Sequence, residues 1–335
     1  MSQFSYQTSF PFPFYEENIL ERQNEVFVSL PQKQLASGSL QISKSSNPAY
    51  LQWTKKDHSD SYSSMQKIVS IWERENFAKQ HLVYGKQKLG TSNAAFHWEI
   101  VPYHDTNNII SRIWKQFLVL CRIIFGGKAF SEESRQKQLS QYKISYENFS
   151  PSLHKNSKKI QALSSQNDAF CNPKTIKRQL ILEGKHTYVL YNYAPIGFGG
   201  ERLHFLLLPK KHKERFSEVS REEYLEITSL SKQLTEHFSK SSRQIQDIYL
   251  FHKTGADAGQ SVKHWHMHMV ITSNRAQSIF SKLTTLKNML IGSSPMKKRA
   301  LKDKVKALKE ELAPSPKCDS WRPSPLQWLA NHFFP

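Results

Sequence analysis

Three histidines at alternate positions, His264, His266 and His268, are the residues of this chain whose spacing best predicts chemistry. In an extended strand, side chains two residues apart point to the same face, so the imidazoles would align while Trp265 and Met267 face the other side. We predict a solvated, basic face backed by a core-facing row. The alternatives are a half-buried strand with incidental surface histidines, or a cluster of metal ligands.

A neutral imidazole is a good nucleophile toward phosphorus and is reactive near neutral pH. The middle residue, His266, is the best placed to attack. The flanking histidines can hold its tautomer, contact phosphate oxygens or supply protons. Just upstream, Gly259 to Val262 offer backbone and side-chain donors that could cradle a phosphate.

The residues before this segment predict the strands and the helix that must position it. Thr187–Asn192 and Leu203–Leu208 have strand composition, and Ser220–Glu223 is a capping box that opens a helix of about 20 residues. Ile248–Phe251 resumes strand character before the histidine segment. The order strand, strand, helix, strand, histidine strand predicts a compact α+β unit.

Lys253–His268 resembles the signature of the histidine triad (HIT) superfamily, especially its fragile histidine triad branch. Asn192–Pro195, His204–Pro209 and His212–Phe216 extend the resemblance, which covers roughly residues 178–275. A bare HxHxH motif is weak evidence, but its combination with the Ala258–Ser261 approach is specific.

The resemblance implies a nucleotidyl-histidine mechanism. His266 would attack the α-phosphate, and Gln260 and Ser261 would assist the phosphoryl oxygens or the leaving group. His268 would stabilise developing charge, and His264 would support the middle ring. Water or another acceptor would then release the nucleotide.

Family-like nucleotide contacts are implied for further residues. Asn192 would lie near the ribose hydroxyls, although it could equally be a turn residue before Pro195. Gly259 and Val262 would lie at the phosphates, and His204 would support the triad. Lys253 departs from the family, which usually carries a neutral amide there, so an extra phosphate or another leaving group would be favoured. The loop Gly197–Arg202 is also longer than in compact relatives, which leaves the base pocket open.

The first half contains a second copy of the pattern. Gly90–Pro102 aligns without a gap to Gly259–Ile271, placing His97 on His266, and a strand at Gln80–Tyr84 precedes it as in the second half. We infer an internal duplication that builds a pseudo-dimer within one chain.

This copy lacks most of the chemistry. Ala95 replaces the first histidine, Glu99 the third and Thr91 the glutamine. We therefore predict one live site and one scaffold half, with His97 beside Glu99 as a structural pair or relic rather than a second nucleophile. The pair could alternatively bind a metal, but two ligands are too few to predict one.

Composition bounds the class of protein. A chain of 335 residues suggests two domains, and its charge of +19, from 47 Lys+Arg against 28 Asp+Glu, implies anionic partners, including nucleotides and nucleic acid. Cys121, Cys171 and Cys318 form no CxxC pair, which argues against disulfides or a cysteine-rich zinc site. No signal peptide is evident, and the most apolar run, Ile113–Phe125, is too short to cross a bilayer. We expect a cytoplasmic protein.

The predicted domains are a degenerate HIT-like domain at 1–145, a basic linker at 146–177, a catalytic HIT domain at 178–292 and a C-terminal segment at 293–335. The last contains a basic amphipathic helix followed by terminal aromatic residues. Such a helix usually docks on its own domain, but a membrane-surface or nucleic-acid role is the alternative.

The leading hypothesis is an α+β protein with two tandem HIT-like units, acting as a nucleotide hydrolase or nucleotidyltransferase on a dinucleoside polyphosphate or nucleoside phosphoramidate. A second hypothesis is removal of adenylate from nucleic-acid ends, against which stands the lack of an accompanying Cys/His zinc module. A third is a non-catalytic nucleotide sensor or scaffold. No cofactor is predicted to be required and no resident metal is predicted, although a divalent metal could arrive with the substrate. The oligomeric state is left open.

Overall fold

The computed structural model describes residues 16–89, 95–106, 108–150, 168–196, 202–241, 245–273, 284, 287–288 and 292–313. The predicted Gly90–Ala94 segment, most of the Gly197–Arg202 loop, Cys318 and the terminal aromatic residues lie outside these ranges.

The first half contains seven strands and three helices within the described residues. They are β1 (Ile19–Gln23), β2 (Val26–Ser29), β3 (Lys33–Gln34), β4 (Leu40–Lys44), α1 (Lys55–Arg74), β5 (Gln80–Lys88), β6 (Trp98–Tyr103), α2 (Ile109–Phe125), β7 (Lys128–Ala129) and α3 (Glu132–Glu147).

The second half follows a similar order. Its described elements are α4 (Pro173–Gln179), β8 (Leu180–Glu183), β9 (Thr187–Tyr191), β10 (Leu203–Pro209), α5 (Arg221–Ser239), β11 (Ile245–Thr254), β12 (Met267–Ser273) and α6 (Lys298–Leu312). The predicted strands and the helix after Ser220 are confirmed by β9, β10, α5 and β11.

Ten strands form one antiparallel sheet in the order β1-β2-β4-β6-β5-β11-β12-β10-β9-β8, while β3 and β7 pair separately. The order is mirrored about the central pair, in which Gly85 of β5 lies opposite Leu250 of β11. Five strands from each half therefore share one continuous sheet. The α+β class and the predicted two-unit architecture are confirmed.

The long helices α1 and α5 pack together on one face of this sheet. Each begins with a capping box, Thr54 with Asp57 and Ser220 with Glu223, which satisfies free N–H groups of the first turn. Their apolar residues share a core with Trp98 of β6 and with Met267 and Met269 of β12. The opposite face of the sheet is left for α2 and the histidines.

Helix α6 packs against α4 and β8. Its buried side is formed by Leu301, Val305 and Leu308, which join the main core. This placement agrees with docking on its own domain, the more usual role for such a helix. No described helix is long and apolar enough to cross a membrane.

Candidate active site

The three histidines lie where β12 enters the sheet between β10 and β11. His268 is within β12, opposite Leu206 of β10 and Phe251 of β11. His264 and His266 precede the first residue of the strand. The predicted alternation holds, because Trp265 is fully buried toward the other face and its Nε1 donates to His252 Nδ1 at 3.1 Å.

The prediction of a solvated face is wrong. His264 is fully buried and His266 is 7% exposed. The Phe170 ring, from a turn that precedes α4, lies 5.2 Å from the His266 ring and 6.0 Å from the His264 ring. Burial lowers the pKa of His266 to about 4, so this imidazole is neutral near pH 7. A neutral ring is the form that can act as a nucleophile.

The tautomer of His266 follows from its backbone partner. Its Nδ1 lies 2.6 Å from the carbonyl oxygen of His264. A carbonyl can only accept, so Nδ1 carries the hydrogen and Nε2 keeps a lone pair. This hydrogen bond would also stabilise the imidazolium once Nε2 forms a bond.

A chain of hydrogen bonds sets the tautomer of His268. The Ile196 N–H donates to His204 Nδ1 at 3.0 Å, so His204 carries its hydrogen on Nε2. That Nε2 donates to His268 Nδ1 at 2.9 Å, which leaves the hydrogen of His268 on Nε2. The His268 ring stacks on Phe251 at 4.5 Å and lies 4.7 Å from the His266 ring. An N–H donor on His268 therefore lies beside the neutral ring of His266, whose Nε2 has a free lone pair.

His204 is fully buried, and burial lowers its pKa to about 3. It stays neutral, as the hydrogen-bond chain requires. The structure brings the predicted support residue His204 into direct contact with His268.

The side chain of Asn192 is used within its own turn. Its Oδ1 accepts from Ala194 N at 3.1 Å, and its Nδ2 lies 3.3 Å from His204 Nδ1. Asn192 thus shapes the turn before Pro195 and contacts the support histidine. Its contact with a ribose stays a prediction.

The predicted phosphate cradle is the loop Gly259–Val262, and the side chain of Gln260 fixes its conformation. Gln260 Oε1 accepts from Gly255 N at 2.7 Å, and its Nε2 donates to the Glu214 carbonyl at 3.0 Å. Gly259 has a φ of +85°, a conformation that favours glycine. Ser261 is exposed, while Val262 packs against the cluster that contains Phe170.

Lys253 lies against this loop. A Cβ atom on Gly259 would be 3.1 Å from Lys253 Nζ, so the glycine leaves room for the ammonium. Burial lowers the pKa of Lys253 to about 8. Lys253 is therefore about half protonated near pH 8, and its ammonium is a titratable cation beside the triad.

A cavity of about 50 Å³ adjoins His268 and Lys253. Its walls come from both halves of the chain. The first half contributes Leu82, Tyr84, Tyr103, Gln116, Leu120 and Ile123. The half that has no histidine triad therefore lines part of the candidate site in the other half.

A second polar cluster borders the triad and was missed from the sequence. Cys171 Sγ lies 3.4 Å from His212 Nδ1 and 3.6 Å from His264 Nδ1. The Asp168 carboxylate lies 3.7 Å from His212 Nδ1 and 4.0 Å from His264 Nδ1. Two of these residues fall in the predicted linker. The available signal was the Asp-x-x-Cys spacing, which places two donors one turn apart.

Three of these groups, on Cys171, His212 and His264, fit a divalent zinc ion, and the Asp168 carboxylate lies beside them. Zinc bonds of about 2.3 Å to sulfur and 2.0 to 2.1 Å to nitrogen give tetrahedral sulfur–nitrogen edges of roughly 3.5 to 3.6 Å, close to the observed sulfur–nitrogen separations. His264 Nε2 donates to the Pro209 carbonyl at 3.0 Å, which leaves Nδ1 with a lone pair for a metal. Asp168 Oδ2 is buried and has no hydrogen-bond partner among the described residues.

The corresponding position in the first half is chemically different. Glu99 of β6 accepts from Leu35 N at 2.8 Å, and burial raises the pKa of its carboxyl to about 7 despite that hydrogen bond and one from Ser39. Burial also lowers the pKa of His97 to about 4. Ala95 supplies no ligand or proton at the place of His264.

Comparisons with known proteins agree with this geometry. The HIT domain family model matches residues 174–275. An uncharacterised 16.1 kDa HIT-like protein of Mycoplasma pneumoniae is 28% identical over 112 residues, which cover 33% of this chain and 74% of that protein. An uncharacterised HIT-like protein of Mycoplasma genitalium is 31% identical over 88 residues, covering 26% of this chain and 59% of that protein.

Among solved structures, a uridylyltransferase covers 94% of this chain and is itself covered to 94%, with a TM-score of 0.52 and 9% identity. Identity at this level shows the fold alone, but the shared fold spans both halves. The resemblance first drawn from the triad residues is confirmed. Residues 174–275 match the HIT domain model, and the same part of the chain is similar to HIT-like proteins.

Proposed function

We propose that this protein is a nucleotide hydrolase or nucleotidyltransferase that forms a covalent nucleotidyl intermediate on His266. The observation that carries the proposal is the pair of fixed tautomers: a lone pair on His266 Nε2 beside an N–H on His268 Nε2. Such a pair can attack phosphorus and donate to its oxygens at the same time.

In the first step, His266 Nε2 would form a bond to the α-phosphorus. The bond from phosphorus to the leaving group would break, and the leaving group would depart with that electron pair. The Nδ1–H of His266 would hold the positive charge against the His264 carbonyl, and His268 would donate to a phosphoryl oxygen.

In the second step, water or another acceptor would attack the same phosphorus. The nitrogen–phosphorus bond would break, the acceptor would lose a proton to solvent or to the departed group, and His266 would regain its lone pair. Water as acceptor makes the protein a hydrolase, and a phosphate or sugar phosphate makes it a transferase.

The preferred substrate classes are dinucleoside polyphosphates and nucleoside phosphoramidates. Lys253 supports a substrate with phosphates beyond the α-phosphate, because its ammonium lies beside the Gly259 loop. The side chain of Gln260 is engaged with the backbone of Gly255 and Glu214, so we assign it to loop geometry first.

Cys171, His212 and His264 would hold a zinc ion, with the Asp168 carboxylate beside it. When bound, zinc would supply a structural cross-link and would neutralise the Cys171 thiolate and the neighbouring buried Asp168. His264 itself would be fixed in place, and its carbonyl orients His266. This proposal differs from the sequence-based prediction, in which no resident metal was expected.

The testing experiment incubates the full-length protein with labelled diadenosine polyphosphate, adenosine phosphoramidate and 5′-adenylated DNA, beside His266→Ala. Turnover of either small substrate by the wild type but not the variant supports the proposal. Turnover of adenylated DNA alone would favour the nucleic-acid alternative. Nucleotide binding without turnover of any substrate would identify a sensor.

A further inference from the structure

Helix α2 turns an apolar face away from the protein. Trp114 is 58% exposed and its ring stacks on Phe117 at 5.4 Å. Four more large apolar side chains on this helix are more than half exposed: Ile109, Ile110, Ile113 and Phe125. Large exposed apolar patches mark interaction surfaces, because they are unfavourable in water.

The exposed residues form a regular stripe. Ile110, Ile113 and Trp114 follow helical spacing together with the half-buried Phe117, while Val119 on the other side is buried against the sheet. A helix that only covers a core turns its apolar face inward, whereas α2 exposes an apolar face to solvent. We call this face the α2 stripe.

A basic pocket of about 300 Å³ lies along the flank of the same helix. Lys115 and Arg122 of α2 line it together with Lys128 and His104. Tyr103, Val119 and Phe130 are among its other walls, and none of its lining residues is an aspartate or glutamate. Arg122 is held in place by donating to the Leu35 carbonyl at 2.7 Å. Such a pocket suits a phosphate group on an organic ligand.

We propose that this surface binds an anionic phospholipid bilayer. The α2 stripe enters the boundary between headgroups and acyl chains, and the basic pocket receives a headgroup phosphate. Interfacial helices that combine aromatic and aliphatic residues on one face with lysine and arginine beside it bind membranes in this way. Binding at this surface does not depend on the reaction at His266.

Charge and side-chain chemistry favour lipid over other occupants. Arg112 of α2 is paired with Asp257, but Lys115 and Arg122 have no carboxylate on their own helix, so a second copy laid along it would bring like charges together. Nucleic acid would satisfy the cations and could stack on Trp114, but the aliphatic part of the stripe, Ile110 and Ile113, would stay in water. A small free phosphate would leave the stripe uncovered.

The test is flotation of the full-length protein with phosphatidylcholine vesicles, with and without phosphatidylserine. The variants are Ile113→Asp in the stripe and the double variant Lys115→Glu, Lys128→Glu in the pocket. Ile144→Asp is the matched control, because Ile144 is 59% exposed on a different helix, α3, and does not line the pocket. The wild type and the control are expected to float only with phosphatidylserine. The double variant should weaken vesicle binding by roughly fivefold or more for each of its two reversed charges. The Ile113→Asp variant should not bind vesicles.

Several outcomes would overturn the proposal. No flotation with either vesicle, or equal loss in Ile144→Asp, would remove the lipid interface. Oligonucleotide binding that survives Ile113→Asp would assign the pocket to nucleic acid. A solution dimer abolished by Ile113→Asp would assign the stripe to a second copy. Saturation of the pocket by glycerol phosphate without vesicle binding would identify a free phosphate ligand. A Tm lowered by Ile113→Asp and not by Ile144→Asp would show that another part of the chain covers the stripe.

Discussion

The two halves of the molecule share one framework and differ on one face of it. Trp98 of β6 and Met267 of β12 occupy corresponding places in the sheet and enter the same core. The residues one position further along, Glu99 and His268, point to the opposite face. The framework is equivalent where it packs and different where chemistry is possible.

Strand register makes the comparison specific. Glu99 lies opposite Gln41 of β4, as His268 lies opposite Leu206 of β10. Two residues before those partners are Ser39 and His204. Ser39 hydrogen-bonds Glu99, and His204 hydrogen-bonds His268. In both halves the two buried polar side chains are hydrogen-bonded to each other, as buried polar groups generally are. Only in the His204–His268 pair does that hydrogen bond also fix the tautomer of a ring.

The lysines beside the two middle histidines show the same contrast. Tyr84 faces Glu99 and Phe251 faces His268, so Lys86 in β5 corresponds to Lys253 in β11. Lys86 Nζ lies 3.3 Å from Asp247 Oδ2, across the central strand pair. Lys253 lies against the Gly259 loop instead. Lys86 of the first half therefore forms an ion pair with the second half, whereas Lys253 of the second half stays at the candidate site.

The largest expected difference is between His266→Ala and His97→Ala. Removal of the nucleophile should lower kcat/KM at least about 10⁴-fold, while the first-half substitution should change it less than about threefold. Steady-state kinetics on the best substrate of the panel measure both. A large loss in His97→Ala with an intact fold would show that the first half also reacts.

The candidate zinc site should exist in the second half only, because Ala95 of the first half occupies the position that corresponds to His264. We expect one zinc per chain in the wild type and at least about 100-fold weaker zinc binding in Cys171→Ala. Chelator competition and metal analysis measure this. Cys121→Ala, in the other described free cysteine, is the control and should retain zinc. Equal zinc content in all three proteins would exclude Cys171 as a ligand.

Glu99→Gln should stabilise the first half above neutral pH. The pKa of Glu99 is raised from 4.5 to about 7, so protonated Glu99 adds stability that is full below about pH 4.5 and lost as pH rises through about 7. Glutamine stays neutral and can keep the acceptor for Leu35 N. The gain should reach up to about 3 kcal/mol at about pH 8 and vanish near pH 4.

Urea unfolding at the two pH values measures this gain, with Glu133→Gln, an exposed residue of α3, as the control. Catalytic activity should be unchanged in Glu99→Gln. A loss of stability at about pH 8 would mean that the Glu99 charge is needed in the fold.

The smallest expected effect concerns the lysines. Because the pKa of Lys253 is lowered to about 8, its positive charge is lost as pH rises through that value. For the wild type, kcat/KM should fall above about pH 8, and Lys253→Gln should be about tenfold lower at neutral pH and lack that decline. Lys86→Gln is the matched control and should keep the wild-type profile. Identical profiles in all three would remove Lys253 from substrate binding.

Much of the frame could be predicted from the sequence because local patterns specify it. The capping residues Thr54 and Ser220 begin α1 and α5, and alternation sends Trp265 into the core. Burial of His266 could not be predicted, since it depends on Phe170, nearly 100 residues earlier. The Asp168 and Cys171 cluster was missed for the same reason: its members meet only through tertiary packing.

The outward stripe of α2 was also beyond prediction, because periodicity shows that a helix is amphipathic but not which way it faces. From sequence alone, the apolar run Ile113–Phe125 predicts only a segment too short to span a bilayer. The shared cavity beside His268 depends likewise on the pairing of β5 with β11, which no local pattern specifies.

The most direct measurement is identification of the residue that carries the nucleotide during turnover. The full-length protein is mixed with a labelled substrate, quenched in alkali to preserve a phosphorus–nitrogen bond, digested and mapped by mass spectrometry. The asymmetric use of the two halves predicts nucleotide on His266 alone, at the same occupancy in His97→Ala. Nucleotide on His97 or Lys253, or none on any residue during turnover, would contradict it.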